Sequence, residues 1–289
     1  MSSKNHKHKI NQSERLNAAP PSTPCFGFPP RRSIFMNIKM IVTDLDGTLL
    51  RRDKTISEYT ASVFHRCKSA GIKTVFATAR PVRAVMKWLN INIQSDACIY
   101  HNGAVIKIGE ELFQETGIEH DTLSKLLGEA KQFDNMRVAA EINDMLYANF
   151  DASTLWPGVE YTMTDFCNLP KLPADKLIFI TIDKTKINKI EKLFNGNLYW
   201  EISENEVLMV MNKNARKRNA IKEIAEHFGL TLHETAAFGD DYNDIEMLRD
   251  CGIGVAVANA ISEVKAAADY VCDTNDNDGV AKWLEENVL

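Results

Sequence analysis

Two aspartates, Asp44 and Asp46, stand one residue apart at the end of a short apolar run and are followed by a glycine and a threonine. The apolar run is typical of a buried strand bounded by turn residues. An extended chain puts both carboxylates on the same side, at the strand end where open α/β sheets bind ligands. Such carboxylates repel each other unless a divalent cation or a shared proton intervenes. Because Asp-Gly is also a common turn sequence, the chemical interpretation needs partners elsewhere in the chain.

A second acidic motif, GDDYND at 239–244, also follows an apolar run. Its residues Asp240 and Asp244 are four positions apart. If Asp244 lies in the first turn of a helix, its carboxylate can return toward the pocket that Asp240 lines. The alternative is an acidic helix N-terminus, which the helix dipole favours without any ligand.

Two weaker motifs complete the set. Thr78 and Ala79 follow a predicted strand and open a predicted helix, so a hydroxyl and free N–H groups could hold an oxyanion there, although threonine is also an ordinary helix cap. Lys217 lies near the start of another predicted helix between Arg216 and Arg218, a cluster equally typical of a solvated helix face. The order and strand–turn context of all four motifs argue against coincidence.

Composition narrows the function classes. A chain of 289 residues holds one large domain or two ordinary ones. The net charge of -5 argues against nucleic acid as the main partner, and no apolar stretch approaches the ~18 to 20 residues that span a bilayer. The six cysteines are scattered without a CxxC pair, which predicts reduced thiols in a cytoplasmic protein. We expect a monomer or a small homo-oligomer.

The chain divides into three parts. Residues 1–35 are rich in Pro, Ser and Asn and are expected to form a disordered extension, with Met36 as an alternative natural start. Strand and helix patterns alternate over 36–117 and 212–289, which predicts an α/β fold with a Rossmann-like parallel sheet and helices on both faces. Between them, 118–211 has strand pairs around isolated helices and is predicted to form an inserted α+β cap.

The four motifs in this order resemble the haloacid dehalogenase superfamily: DLDGT at 44–48, Thr-x-Arg from Thr78, Lys217, and GDDYND at 239–244. The sequence YHNGA at 100–104 strengthens the resemblance, which covers 37–289. An insertion between the second and third motifs is similar to the Cof-type branch of sugar phosphatases with a class IIB cap. The resemblance implies a phosphatase acting on small phosphomonoesters, such as sugar phosphates, with the cap selecting the substrate.

The resemblance also implies the reacting groups. Asp44 would be the nucleophile that forms an aspartyl phosphate, and Asp46 would be the acid that protonates the leaving alcohol and the base that then activates water. Mg²⁺ would be held by the carboxylate of Asp44, the backbone carbonyl of Asp46 and the carboxylate of Asp240.

The remaining motif residues would bind the phosphate. Thr78 and the N–H of Ala79 would hold its oxygens, and Lys217 would offset its charge. Asn243 would contact the phosphate, while Asp244 would orient Lys217 or a metal-bound water.

Two positions depart from the family pattern. Ala79 stands where glycine is usual, which preserves the N–H unless the backbone needs a positive φ. Arg218 replaces the glycine that usually follows the lysine, which could alter the loop or add charge near the entrance. A phosphotransferase or phosphomutase with the same aspartyl phosphate is one alternative function. A non-catalytic binder of phosphometabolites is another, although it would be expected to lack a motif acid.

Overall fold

The structure, a computed structural model, describes residues 37–86, 93–181, 183–194, 196–203 and 207–289. The extension predicted for 1–35 lies outside the described residues, as does Met36. Residues 87–92 do as well, and with them the end of the helix that the sequence predicts after Thr78 and Ala79.

Fourteen strands are present in the described part of the chain. In chain order they are β1 (Met40–Thr43), β2 (Lys73–Ala77), β3 (Ala97–Tyr100), β4 (Val105–Ile108), β5 (Glu111–Glu115), β6 (Arg137–Ile142), β7 (Met145–Ala148), β8 (Tyr161–Met163), β9 (Lys176–Ile180), β10 (Leu198–Ser203), β11 (Val207–Asn212), β12 (Thr235–Gly239), β13 (Ile253–Ala256) and β14 (Tyr270–Val271).

Eight α-helices connect these strands within the same described ranges. They are α1 (Glu58–Ser69), α2 (Val82–Met86), α3 (His120–Ala130), α4 (Lys184–Glu191), α5 (Lys217–His227), α6 (Ile245–Asp250), α7 (Ser262–Ala267) and α8 (Gly279–Asn287).

The larger sheet has the order β14-β13-β12-β1-β2-β3-β4-β5. The six strands from β14 to β3 pair in parallel, which confirms the predicted parallel sheet. The hairpin β4-β5 continues the sheet antiparallel and was not predicted. Its outer strand, ELFQE, is mostly exposed and lacks the apolar alternation that identifies a strand.

Helices cover both faces of this sheet. Helix α1 packs on α8, and α6 packs on α5 and α7. Helix α1 begins where the hydroxyl of Ser57 accepts a hydrogen bond from the N–H of Thr60 at 2.9 Å, and it buries Val63, Phe64 and Cys67. Each of the strands β1 and β12 is fully buried, as expected for central parallel strands. We call this sheet with its helices the core.

The second sheet has the order β10-β11-β9-β6-β7-β8 and carries α3 and α4. Its own apolar cluster includes Leu123, Leu127, Phe179 and Ile190. Every strand pair in it is antiparallel except β7 with β8, which confirms an inserted α+β unit. We call this sheet and its two helices the cap. The predicted boundaries at 117/118 and 211/212 stay predictions.

Two smaller features bear on the expectations from composition. Among the described residues no helix combines the length and the apolar character that crossing a membrane requires. Cys98 and Cys251 are buried among apolar side chains, with 6% and 7% exposure.

Candidate active site

Three of the predicted motifs follow three neighbouring strands. Asp44 follows β1, Thr78 follows β2, and Asp240 follows β12, which lies on the other side of β1. The N–H of Asp44 donates to the carbonyl of Phe238 at 3.0 Å and so extends the β1–β12 ladder by one residue. Since parallel strands end at the same edge of a sheet, the pairing brings these side chains to one edge of the core.

Three carboxylates meet at this edge. Oxygens of Asp44, Asp240 and Asp244 lie within 4.8 Å of one another. Thr48 donates its hydroxyl to Oδ1 of Asp240 at 2.6 Å. Gly47 has a φ of +80°, and a Cβ there would collide with the carboxylate of Asp240. The glycine of the first motif therefore makes room for the acid of the fourth.

Lys217 is the cation of the group. It is the first residue of α5, and only 1% of its surface is exposed. Its Nζ donates to Oδ1 of Asp44 at 2.6 Å and to Oδ1 of Asp244 at 2.7 Å. The alternative of a solvated helix face is therefore wrong for Lys217. It describes Arg218, which forms an ion pair with Asp250 at 2.6 Å near the surface.

The charges of the group are unbalanced, with three carboxylates around one ammonium. Burial raises the pKa of Asp44 well above its usual value; Lys217 opposes this rise, and Asp244 and Asp240 add to it. Burial also raises the pKa of Asp240, to about 6. Burial alone would lower the pKa of Lys217, but Asp244 and Asp44 outweigh it and raise that pKa.

These residues suit a divalent cation. Carboxylate oxygens are the ligands that Mg²⁺ and Ca²⁺ prefer, and a cation would offset the repulsion among these carboxylates, which adds to the effect of burial on the pKa of Asp44 and Asp240. The structure thus offers Asp44 and Asp240 from the predicted ligand set, with Asp244 beside them. The carboxylate of Asp46 lies outside this group, and the prediction for its backbone carbonyl stays a prediction.

The carboxylate of Asp46 is held by two cations. Arg80 donates through Nε to Oδ2 and through Nη2 to Oδ1, the latter at 2.6 Å, and Lys54 donates to Oδ1 at 2.9 Å. Burial works to raise the pKa of Asp46, but the hydrogen bonds from Arg80 and Lys54 outweigh it, so the pKa is lowered. Neither cation was assigned a role from the sequence. Arg80 belongs to the second motif, whereas nothing in the sequence marked Lys54.

The second motif lies beside the carboxylates, and its threonine is buried. Thr78 is 2% exposed, and its hydroxyl accepts a hydrogen bond from the N–H of Arg80 at 3.1 Å. The φ angle of Ala79 is not positive. Alanine in place of glycine therefore costs no backbone strain at this position. The carbonyl of Ala79 accepts a hydrogen bond from Lys176 of the cap at 2.9 Å.

Asn243 reaches the pocket from the fourth motif. Its Nδ2 donates to Oδ1 of Asn102 at 2.9 Å. Asn102 lies in the YHNGA sequence, 2% exposed, and sequence reasoning gave it no role beyond the resemblance. The structure brings all the predicted site residues to this edge of the core, while their individual roles stay predictions.

A buried carboxylate beside a buried ammonium and further acids, at the carboxyl edge of a parallel sheet with an inserted cap, is the arrangement expected of a hydrolase of the haloacid dehalogenase type. The chain belongs to the haloacid dehalogenase-like hydrolases, whose family profile matches residues 41–284. It is accordingly a phosphatase, a hydrolase of phosphoric monoesters.

Similar proteins agree with this family. The 5-amino-6-(5-phospho-D-ribitylamino)uracil phosphatase YitU of Bacillus subtilis (strain 168) is 26% identical over 260 residues, which cover 86% of this chain and 96% of that protein. The phosphatase BT1666 of Bacteroides thetaiotaomicron is 27% identical with a TM-score of 0.78, covering 90% of this chain and 98% of that one. The subclass IIB sugar phosphatase BT4131 is 25% identical with a TM-score of 0.74, covering 86% and 98%.

Proposed function

We propose that this phosphatase is Mg²⁺-dependent and hydrolyses small phosphorylated metabolites through an aspartyl phosphate on Asp44. The observation that carries the proposal is the contact of Asp44 with Lys217 at 2.6 Å, inside the group that Asp44 forms with Asp240 and Asp244. The ammonium holds one oxygen of the nucleophile in place. An oxygen of this fixed carboxylate can then attack phosphorus.

The reaction has two steps. In the first, a carboxylate oxygen of Asp44 forms a bond to phosphorus, the bond from phosphorus to the ester oxygen breaks, and Asp46 gives its proton to the leaving alcohol. In the second, Asp46 takes a proton from water as that water attacks the phosphorus of the aspartyl phosphate. The bond from phosphorus to Asp44 breaks, which releases inorganic phosphate and restores the carboxylate.

Asp46 can donate a proton only after its partners shift. In the structure both of its oxygens accept hydrogen bonds from cations, Oδ1 from Arg80 and Lys54 and Oδ2 from Arg80, which stabilise the carboxylate form. We infer that the bound phosphate competes for Arg80, because a dianion attracts a guanidinium more strongly than a single carboxylate does. This competition would free one oxygen of Asp46 for protonation and bring Arg80 to the substrate.

The remaining residues bind rather than react. Thr78 and the N–H of Ala79 would hold phosphate oxygens, while Lys217 and Asn243 would offset and orient the charge of the phosphoryl group. Asp44, the backbone carbonyl of Asp46, and Asp240 would hold Mg²⁺. When bound, the cation would reduce the repulsion between the anionic nucleophile and the anionic substrate.

The relatives indicate the kind of substrate. A 5-phospho-D-ribityl compound is named for one of them and sugar phosphates for another. Both are phosphate esters of polyhydroxylated alkyl groups, and we propose such a metabolite for this enzyme. We also propose a cytoplasmic location, because its cysteines are scattered without pairing motifs.

Replacing the nucleophile tests the proposal. We expect Asp44→Asn to abolish turnover of p-nitrophenyl phosphate while circular dichroism shows a folded protein, because the amide cannot form the acyl phosphate. The matched control is Asp121→Asn, an exposed acid on α3 of the cap, which should retain wild-type turnover. Assays with Mg²⁺ and then with a chelator should show activity only with the cation. Wild-type turnover in Asp44→Asn, or turnover indifferent to chelation, would contradict the proposal.

A further inference from the structure

Two side chains of the cap reach into the phosphate-binding part of the core. The first is Lys176, the opening residue of β9, which is 6% exposed. Its Nζ donates to the carbonyl of Ala79 at 2.9 Å. Ala79 is the residue whose N–H is proposed to hold a phosphate oxygen. The cap therefore contacts the phosphate-binding turn directly, one peptide unit away from the substrate.

Lys176 lies close to several acidic side chains of the cap. Burial lowers the pKa of Lys176, and Glu141, Glu201 and Asp175 offset only part of that effect. Glu141 is already engaged by Arg83 of the core, through bonds of 2.8 and 2.9 Å. A buried ammonium is costly, and an apolar side chain would fill the same space without that cost, so the polar contact with Ala79 calls for an explanation beyond packing.

The second side chain is Glu201 on β10. Its Oε2 accepts a hydrogen bond from Nδ2 of Asn102 at 3.4 Å. Asn102 in turn accepts from Nδ2 of Asn243 at 2.9 Å. This chain of side chains leads from the cap to Asn243, another group proposed to contact the phosphate.

The turn that carries Asn102 is fixed against the other motifs. The backbone N–H of Asn102 donates to the carbonyl of Thr78 at 3.0 Å, and the backbone N–H of His101 donates to the carbonyl of Arg80 at 3.1 Å. Gly103, with a φ of +116°, lies so close to α5 that a Cβ would stand 2.6 Å from the carbonyl oxygen of Arg216. Because this turn is held on several sides, a displacement of Glu201 would move Asn102 and Asn243 rather than being absorbed by the turn.

We propose that Lys176 and Glu201 are positioning residues through which the cap holds the phosphate-binding groups of the core in their productive geometry. This inference rests on the proposed function, since it assigns Ala79 and Asn243 to the phosphate. Lys176 acts through the carbonyl of Ala79, and Glu201 acts through Asn102. The cap thus helps to position the phosphoryl group that is transferred, as well as recognising the leaving group.

The two contributions have different consequences for small substrates. A cap residue that only recognises the leaving group affects substrates large enough to touch it. A residue that positions the phosphate-binding groups affects every substrate by a similar factor, including acetyl phosphate, whose leaving group is only acetate. It also affects the binding of inorganic phosphate, which has no leaving group.

The experiment measures Lys176→Met in the full-length protein with p-nitrophenyl phosphate and acetyl phosphate, and with inorganic phosphate as a competitive inhibitor. We expect kcat/KM to fall about 10-fold to 100-fold on both substrates, as small misplacements of reacting groups do. The inhibition constant of phosphate should rise, and Lys176→Arg should recover part of the loss. Lys171→Met, an exposed lysine of the same cap segment, is the matched control and should behave as the wild type.

The outcomes separate this inference from the proposed function. A loss on p-nitrophenyl phosphate alone, with acetyl phosphate turnover and phosphate inhibition unchanged, would overturn the inference and leave the function intact. If Lys176→Met does not fold, the same measurements are made with Glu201→Ala, at the half-buried second positioning residue. An unchanged inhibition constant of phosphate in Glu201→Ala would overturn the inference. A wild type without turnover of either substrate would remove the proposed function, and the inference with it.

Discussion

The catalytic edge of the core and the junction between core and cap both bury titratable side chains, but Lys217 at the first is paired closely with carboxylates, whereas His101 and Asp175 at the second are not. At the catalytic edge, Lys217 lies 2.6 Å from Asp44 and 2.7 Å from Asp244. At the junction, Nε2 of His101 and Oδ2 of Asp175 are 3.9 Å apart. Both ring nitrogens of His101 and Oδ1 of Asp175 have no hydrogen-bond partner among the residues that the structure describes.

The two sets of residues also differ in the direction in which their surroundings shift the pKa values. The ammonium of Lys217 is held in its charged form by two carboxylates, which outweigh the effect of burial on its pKa. For His101 and Asp175 at the junction, the effect of burial prevails instead. It lowers the pKa of His101 and raises the pKa of Asp175 to about 7. The surroundings of Lys217 therefore favour its charged form, whereas those of His101 and Asp175 favour their neutral forms.

The largest effect should follow from removing the central cation. Lys217→Met leaves the carboxylates of Asp44 and Asp244 buried without their ammonium, so we expect the free energy of unfolding to fall by about 2–5 kcal/mol at neutral pH. Turnover of p-nitrophenyl phosphate should fall by about 100-fold or more, since the variant also loses a charge at the phosphoryl group.

Steady-state kinetics and urea unfolding check this prediction. The matched control is Lys222→Met on the same helix, whose side chain is 52% exposed and pairs with Glu226 at the surface. Equal effects of the two substitutions would mean that the close pairing at the catalytic edge has no special energetic or catalytic role.

A smaller effect should appear when the junction is altered, as a change in the pH dependence of the free energy of unfolding. The pKa of Asp175 is about 7 in the folded protein, chiefly through burial and then through Glu115, Glu141 and Asp144. The unfolded chain should return it to about 3.9. Its contribution to stability is therefore present below about pH 4 and is lost as the pH rises toward 7.

Asp175→Asn removes this titration. Relative to the wild type, the variant should gain about 1–3 kcal/mol of stability between pH 4 and pH 8. Urea unfolding at pH 4, 6 and 8 measures the difference, and His101, present in both proteins, largely cancels from it. Asp121→Asn is the exposed control. Parallel stability curves for the wild type and Asp175→Asn would show that the junction does not shift this pKa.

The two regions also differ in how much of them could be predicted from the sequence. Asp44 and Asp240 could be placed together, because each directly follows an apolar strand and parallel strands end at one edge. The third motif was ambiguous, since the burial of Lys217 depends on how α5 packs. Its lysine and the flanking Arg218 look alike in sequence, yet one is buried between carboxylates and the other pairs at the surface.

The junction was not predicted, because its contacts join residues far apart in the chain. Lys176 and Ala79 are 97 positions apart, and Asn102 and Glu201 are 99 apart. No local pattern marks such a pair. Strand β8 and the hairpin β4-β5 were missed for a different reason, since short or exposed strands carry little apolar alternation.

The identity of the nucleophile is the central claim, and chemical trapping tests it most directly. Asp46→Asn should form the aspartyl phosphate from p-nitrophenyl phosphate, whose leaving group departs without a proton, and should hydrolyse it slowly, because the attacking water lacks a base. Acid quenching followed by borohydride reduction converts an aspartyl phosphate to homoserine, which peptide mass spectrometry can locate. We expect homoserine at position 44 only, and only after incubation with substrate. Homoserine at position 240 or 244 instead, or none at position 44 in an enzyme that turns over, would contradict the account.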